Sequence, residues 1–281
     1  MRILILGGGR VGQSLMEEEI FEHWDITVID NNPEVVEFIE NYYDVLVEEG
    51  DARDLLLLER FDIDRMDAVV AVTSSDEINV IACLVAKEKG VPFTAARIGD
   101  AIYTEEYMKF AENKLGVDYA FNPSMIAAEN INKRSAVDEE AERRHTAILV
   151  GGGRTSLFLS DLLIERGFKV TILVHGEEES ALILGHVNRI AAVVTGDFND
   201  KHVLDSVDAS KAGIFAAVTE SEPANIMLAK FSDSKGVPYT AARASQSEII
   251  DIGKSLGIDE IITPSDVSER IVMKLKSKLK I

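Results

Sequence analysis

One cysteine, Cys83, in 281 residues excludes an internal disulfide. It falls in "NVIACLVAKEKG", an apolar stretch with helical spacing, where a free thiol is expected as a small buried hydrophobe rather than a nucleophile. The five histidines, His23, His145, His175, His186 and His202, form no constellation with zinc-type spacing, so no metal site is assigned. No apolar run approaches the roughly 18 residues of a membrane span. The chain opens directly on "MRILILGGG", without the basic stretch and cleavage site of a signal peptide. These absences point to a cytoplasmic chain and leave room for peripheral docking on a membrane partner. Basic residues are scarce, 29 against 49 acidic ones, for a net charge of −20. Such a surface repels phosphate backbones, which argues against general nucleic-acid binding. An anionic small ligand must then be held locally, by backbone amides and a few arginines. Catalytic signatures are missing as well. No tyrosine is followed four residues later by lysine, and there is no G-x-S-x-G elbow. No catalytic residue is assigned on this basis, although catalytic groups can converge from distant parts of a chain.

What the chain does have, it has twice. "ILGGGRVGQSL" at 5–15 returns as "LVGGGRTSLFL" at 149–159. "EEGDARD" at 48–54 resembles "VTGDFND" at 194–200, and "KGVPFTAAR" at 89–97 returns as "KGVPYTAAR" at 235–243. "AVVAVTSSDEIN" and "GIFAAVTESEPAN" align Thr73 with Thr219 and Asn79 with Asn225. "LGVDYAFNPS" at 115–124 resembles "LGIDEIITPS" at 256–265. An offset near 144 residues is far longer than a solenoid repeat, so this is a duplicated domain. Each half alternates short apolar runs with helical patterns. Strands are predicted near 2–6, 26–30, 44–48, 68–72, 93–97 and 118–121, then near 146–150, 169–174, 190–195, 213–218, 239–243 and 259–262. Strands alternating with helices imply parallel sheets with right-handed crossovers. The expectation is an α/β chain of two tandem Rossmann-like, doubly wound sheets. The first domain is placed at 1–134 and the second at 146–281, with the charged stretch 135–145 as connector.

In the first half, Gly7, Gly9 and Gly12 form G-x-G-x-x-G between a strand and a helix. Gly7 permits the tight turn, Gly9 lets backbone approach a pyrophosphate, and Gly12 lets helix and strand pack closely. The helix start adds unpaired amides and partial positive charge. Asp30 closes the second strand, 18 positions after Gly12, where a carboxylate accepts hydrogen bonds from a ribose diol and repels a 2′-phosphate. NAD or an adenine nucleotide is therefore favoured over NADP. Arg10 lies in the glycine loop, either as a solvated residue or as a cation beside phosphate. Asp51 and Ala52 follow the third strand, where a doubly wound sheet forms its adenine pocket. Thr73 and Ser74 follow the fourth and can face ribose or pyrophosphate. Ser74 and Glu77 also fit a helix capping box. Arg97, at the end of the fifth strand, could reach phosphates or a partner. In the second half Ser156 replaces Gly12 and Val174 replaces Asp30, so dinucleotide binding in the usual pose is not expected there.

The runs "GGGRVGQSL", "VIDNNPE", "EGDARD", "DAVVAVTSSDEINVIACLVAKEKGVPFTAARI" and "GVDYAFNPSMIAAENI" resemble the nucleotide-binding domain that regulates potassium conductance, the RCK or KTN domain. Two in tandem resemble the TrkA-type regulatory subunits of Trk potassium uptake. The resemblance covers 1–131 closely and 146–272 more loosely. It implies a cytosolic, non-enzymatic chain that binds NAD, NADH, ATP or ADP and gates a membrane potassium transporter subunit through an assembled ring. The matching ligand positions are Gly7, Gly9, Arg10, Val11, Gly12, Asp30, Asp51, Thr73, Ser74 and Arg97. It further implies that the helices after Pro123 and Pro264 join domain to domain. The chain is expected to form a homo-oligomer, with its two halves packed as an internal pseudo-dimer. No small C-terminal RCK domain is recognisable after either half. An NAD-dependent oxidoreductase is the competing class, and a nucleotide-binding scaffold unconnected to ion transport is a third.

Overall fold

The computed structural model describes residues 1–99, 105–186, 192–198 and 200–281. The first half runs β1 (Arg2–Leu6), α1 (Arg10–Met16), β2 (Asp25–Asp30), α2 (Pro33–Tyr42), β3 (Leu46–Glu49), α3 (Leu55–Arg60), β4 (Ala68–Ala71), α4 (Asp76–Glu88), β5 (Phe93–Arg97), α5 (Glu105–Lys114), β6 (Tyr119–Phe121) and α6 (Pro123–Ser135). After α7 (Glu139–Arg144) the plan repeats: β7 (Thr146–Val150), α8 (Arg154–Glu165), β8 (Lys169–Val174), α9 (Glu177–His186), β9 (Ala192–Thr195), α10 (Lys201–Ser206), β10 (Ile214–Ala217), α11 (Glu222–Ser234), β11 (Tyr239–Arg243), α12 (Ser247–Ser255), β12 (Glu260–Ile262) and α13 (Ser265–Leu279). Each predicted strand is present within two residues of its expected ends. For the strand expected at 190–195, the first two residues lie outside the described ones.

Among the described residues the strands form two six-stranded sheets, ordered β3-β2-β1-β4-β5-β6 and β9-β8-β7-β10-β11-β12. Every pairing is parallel. Both are the doubly wound Rossmann order, with the reversal of direction beside β1 and β7. The central strands read as unbroken apolar runs because helices cover both faces. Ile3 to Leu6 in β1 and Ala147 to Val150 in β7 are essentially inaccessible to solvent. Small details repeat too: Asp62 and Asp208, at equivalent positions, both take left-handed backbone.

The chain folds into two compact units, one of Met1–Pro123 with Pro264–Ile281, the other of Ser124–Thr263. Each sheet thus takes its last helix from the other half of the sequence. The α6 residues Ala127, Ala128 and Ile131 are buried in the second unit's core with Leu149 and Leu163. In the first unit α13 buries Val267, Ile271, Val272 and Leu275 and packs against α1 and β5. Its Ser268 hydroxyl lies 3.0 Å from that of Ser14, and Lys278 pairs with Asp118 at 2.8 Å. Cuts at 134 and 146, as expected from composition, therefore differ from the folded boundaries. The charged connector 135–145 is itself partly helical. Asp138 caps α7 by accepting the Ala141 N–H at 2.8 Å, and Ala141 is fully buried. Its carbonyl leaves no room for a Cβ at position 213, where the chain has glycine. A helix that buries one alanine leaves almost no apolar periodicity to read.

Cys83 is buried in α4, its Sγ 3.2 Å from the Ala95 carbonyl, and burial pushes its thiol up to about 12. That matches the inert thiol expected. Among the described residues no helix is long and apolar enough to cross a membrane, and no cluster of metal-ligating side chains occurs.

Candidate functional site

At the carboxyl ends of β1 to β5, at the reversal point of the first sheet, a cavity of about 290 Å³ opens. Its lining includes Gly7, Gly9, Asp30, Asp51, Ala52, Thr73, Ser74 and Arg97. These eight residues come from five separate segments of sequence. They meet because each directly follows or ends a parallel strand, so every loop emerges on the same edge.

The glycine turn is shaped by backbone proximity. Gly7 has φ +107°, and a Cβ there would stand 2.9 Å from the Val72 carbonyl carbon. At Gly12 a Cβ would stand 2.2 Å from the Gly7 carbonyl oxygen, so α1 sits directly on the turn. Gly12, Val11 and Arg10 all lie in α1 and are absent from the cavity lining. Gly12 thus acts by packing, as its expected role required, while Arg10 and Val11 are not brought into the cavity.

Asp30 joins the turn to the second strand. Its Oδ2 accepts the Gly8 N–H at 2.7 Å and its Oδ1 accepts the Asn32 N–H at 2.8 Å. The carboxylate is held in one orientation at the cavity edge, with acceptor lone pairs to spare for a diol. Asn32 in turn caps α2. Asp51 is gripped by Arg53, whose Nε lies 2.9 Å from both carboxylate oxygens. Those charge-assisted hydrogen bonds hold the Asp51 carboxyl down at about 2. A base entering here meets an anion already paired with Arg53.

The third side of the cavity is organised by a residue given no site role from sequence. Asn79 Oδ1 accepts the Thr73 N–H at 2.9 Å and the Thr73 hydroxyl at 2.7 Å. Its Nδ2 donates to the carbonyls of Thr73 and Arg97 at 3.2 and 3.0 Å. One buried amide thus ties the end of β4 to the end of β5. Its recurrence as Asn225 was the available signal. The helix cap falls one residue later than expected: the Ser75 hydroxyl, not that of Ser74, accepts the Ile78 N–H, at 3.3 Å. Extended backbone at Ser75 places the first turn of α4 beyond it. Ser74 is left exposed at the cavity lip.

The equivalent edge of the second unit keeps the frame and changes the chemistry. Gly151 takes φ +113°, like Gly7. Ser156 fits where Gly12 stands, but the first turn of α8 is looser. The Leu157 N–H reaches the Gly153 carbonyl at 3.3 Å, against 2.9 Å for Gln13 to Gly9. The Ser156 hydroxyl is buried without a hydrogen-bond partner. Val174 is fully buried and offers no acceptor. A different carboxylate stands nearby: Glu179 packs beside Gly152 and accepts the His175 N–H at 3.1 Å. It comes from α9 rather than the strand end, so no strand-end motif reveals it.

The known proteins most informative for this geometry are potassium-uptake proteins and channel structures. The TrkA-N domain model matches residues 3–123 and again 147–264. A Trk system potassium uptake protein TrkA homolog of Methanothermobacter thermautotrophicus is 32% identical over 133 residues, 47% of this chain and 59% of that protein. The TrkA homolog of Pyrococcus abyssi is 35% identical over 132 residues, 47% of this chain and 58% of that one. For the Trk system potassium uptake protein TrkA of Haemophilus influenzae the identity is 31% over 149 residues, 52% of this chain and 32% of that protein. The matches thus span less than two thirds of each relative. Among solved structures, the GsuK channel superposes over 100% of this chain and 70% of its own, with TM-score 0.80 and 18% identity. The GsuK channel bound to NAD superposes with TM-score 0.80 at 14% identity, over 99% of this chain and 64% of that one. The form bound to ADP gives 0.79 at 18%, over 99% and 69%. At such identities the likeness is one of fold. With both halves matched by one family model, the chain belongs to the TrkA-N domain family, as two copies in tandem.

Proposed function

We propose that the chain is a nucleotide-sensing regulatory subunit of a Trk-type potassium transport system. It binds NAD(H), or ADP and ATP, in the first unit and acts by binding rather than by catalysis. The observation that carries this reading is the convergence of Gly7, Gly9, Asp30, Asp51, Thr73, Ser74 and Arg97 on one cavity. In it the turn amides and Arg97 serve the phosphates, Asp30 the ribose diol, and the Asp51–Ala52 edge the adenine. Arg10, at the first turn of α1, adds positive charge outside the cavity. The relatives' names, potassium uptake proteins, supply the process. Solved structures of the same fold carrying NAD and ADP support the ligand class.

The proposed partner is a membrane potassium transporter subunit, contacted from the cytoplasmic side by an assembly of several copies of the chain. The ligand works by population shift. It binds one arrangement of the assembly better than another, and only that difference in affinity does work on the partner. Near-complete switching needs a ratio of about 10⁴.

The test is potassium-analogue flux through the transport system in vesicles, with purified chain added and nucleotide varied. Flux that changes with nucleotide in the wild type and not in Asp30→Ala supports the proposal. Robust oxidation of alcohols or hydroxy acids with NAD by the purified chain would replace it with a dehydrogenase reading.

A further inference from the structure

Thr73 lines the cavity, yet adenine, ribose and phosphates are all served by other residues. Its place follows from the sheet order, in which β1 lies between β2 and β4. The glycine turn after β1 is therefore flanked by Asp30 on one side and by Thr73 on the other. A Cβ at Gly8 would stand 3.6 Å from Asp30 Oδ2, and one at Gly7 would stand 3.0 Å from the Thr73 nitrogen. With the adenosine ribose at Asp30 and the pyrophosphate over the turn, Thr73 meets whatever follows the pyrophosphate.

What Thr73 can offer there is fixed by Asn79. The Asn79 amide can sit only one way round, since its Nδ2 faces the carbonyls of Thr73 and Arg97 and its Oδ1 faces the Thr73 N–H. Oδ1 can only accept, so the Thr73 hydroxyl, 2.7 Å away, donates to it; the Ser75 carbonyl, at 3.3 Å, is the poorer acceptor. Both Thr73 donors, N–H and O–H, are thus spent on one buried amide. The hydroxyl takes the Ser75 N–H at 3.3 Å on one lone pair and has a second left. Toward a ligand Thr73 is therefore an acceptor and not a donor.

We propose that Asn79 is a positioning residue that sets the polarity of Thr73, and that Thr73 so set selects ligands with a hydroxyl donor beyond the pyrophosphate. A dinucleotide or ADP-ribose carries such donors on its second ribose. ADP and ATP end in phosphate, an acceptor-only group that gains nothing from Thr73. The inference rests on the reading of the first unit as a nucleotide site, and within that reading it favours NAD(H) over ADP and ATP. The second unit repeats the network: the Thr219 N–H and hydroxyl donate to Asn225 Oδ1 at 2.9 and 2.7 Å. There Val174 stands where Asp30 would hold the first ribose, so Asn225 is a control for the network's part in folding.

The experiment is calorimetric titration of the full chain with ADP-ribose and with ADP, which differ by the second ribose. Thr73→Val keeps the shape and removes the hydroxyl. It is expected to weaken ADP-ribose about two- to tenfold, the worth of one neutral hydrogen bond, and not to weaken ADP. Thr73→Ser, which keeps the hydroxyl, is expected to match the wild type. Asn79→Ala frees the Thr73 hydroxyl to donate to phosphate, so the ratio of ADP-ribose to ADP affinity should fall there too, while Asn225→Ala should leave that ratio unmoved. Wild-type affinity for ADP-ribose in Thr73→Val overturns the proposal, as does equal weakening of both ligands. A ratio unmoved in Asn79→Ala overturns the positioning role of Asn79, and Thr73→Val decides even where Asn79→Ala does not fold. If neither ligand binds the wild type, the nucleotide reading of the first unit falls, and this inference with it.

Discussion

Replacing Gly12 by alanine tests whether the third glycine is a packing requirement. A Cβ at that position stands 2.2 Å from the Gly7 carbonyl oxygen and 3.2 Å from its carbon. Ordinary contact needs more than an ångström of additional separation, and the obstacle is backbone at both ends. Neither side yields easily. Gly7 is pinned by its N–H to the Ile29 carbonyl at 2.8 Å, and α1 is held from behind by α13, including the Ser14–Ser268 contact. Overpacking of this kind costs about 3 kcal/mol, at the upper end of its usual range. Alanine returns about 1 kcal/mol in helix propensity, leaving a net loss of about 2 kcal/mol. The assay is urea unfolding followed by tryptophan fluorescence. Trp24, the only tryptophan, packs edge-on against Phe21 at 5.1 Å within the first unit and so reads that unit alone. The matching substitution in the second unit, Ser156→Ala, removes a buried unpaired hydroxyl. It is expected to leave stability unchanged or raise it by up to about 1 kcal/mol, seen by circular dichroism. An unshifted Trp24 midpoint in Gly12→Ala would refute the reasoning, for α1 would then be free to ride off the turn.

Two further outcomes follow from the exchanged helix. Ending the chain at Thr263 removes Val267, Ile271, Val272 and Leu275 from the first unit, all nearly inaccessible. At about 1.5–3 kcal/mol each this is about 6–12 kcal/mol, comparable to a domain's entire stability, so the cooperative Trp24 transition should vanish. The second involves Asp118, which pairs with Lys87 at 2.6 Å and Lys278 at 2.8 Å. Burial pushes its carboxyl up, but hydrogen bonds from Lys278, Lys87 and the Thr94 N–H outweigh it and hold the group below the ordinary carboxylate range. A lowered folded-state value stabilises above the unfolded value, about 3.9, and the benefit is lost as pH falls through the folded one. The stability gap between wild type and Asp118→Asn should be full at pH 7 and close below about pH 4. A gap independent of pH would mean that the charge of Asp118 does not contribute.

Much of this was legible in sequence because parallel strands leave a strong mark. Runs such as "ILIL" and "AILV" announce strands buried on both faces, and the duplication supplied each prediction twice. The doubly wound order then placed the residues after each strand on one edge, which is why Asp30, Thr73 and Arg97 could be joined across 67 positions. What escaped notice depends on contacts without periodicity. Nothing in the apolar face of α6 or α13 says which sheet it covers, since either sheet presents the same surface. The cap moved from Ser74 to Ser75 because two adjacent serines offer the same chemistry and only backbone direction chooses. Arg10 and Val11 matched a motif, yet their place inside α1 keeps them from the cavity. Glu179 meets Gly152 only through the fold.

The most direct test of the first unit as the sole nucleotide site is calorimetric titration of NAD and of ADP into the purified full chain. One ligand per chain is expected. Asp30→Asn and Asp30→Ala should weaken it at least about tenfold, since hydrogen bonds to a charged acceptor are worth about 1.5–3 kcal/mol. Val174→Ala, at the equivalent position of the second unit, should leave it unchanged. Full affinity in both Asp30 variants, or two ligands per wild-type chain, would contradict the assignment.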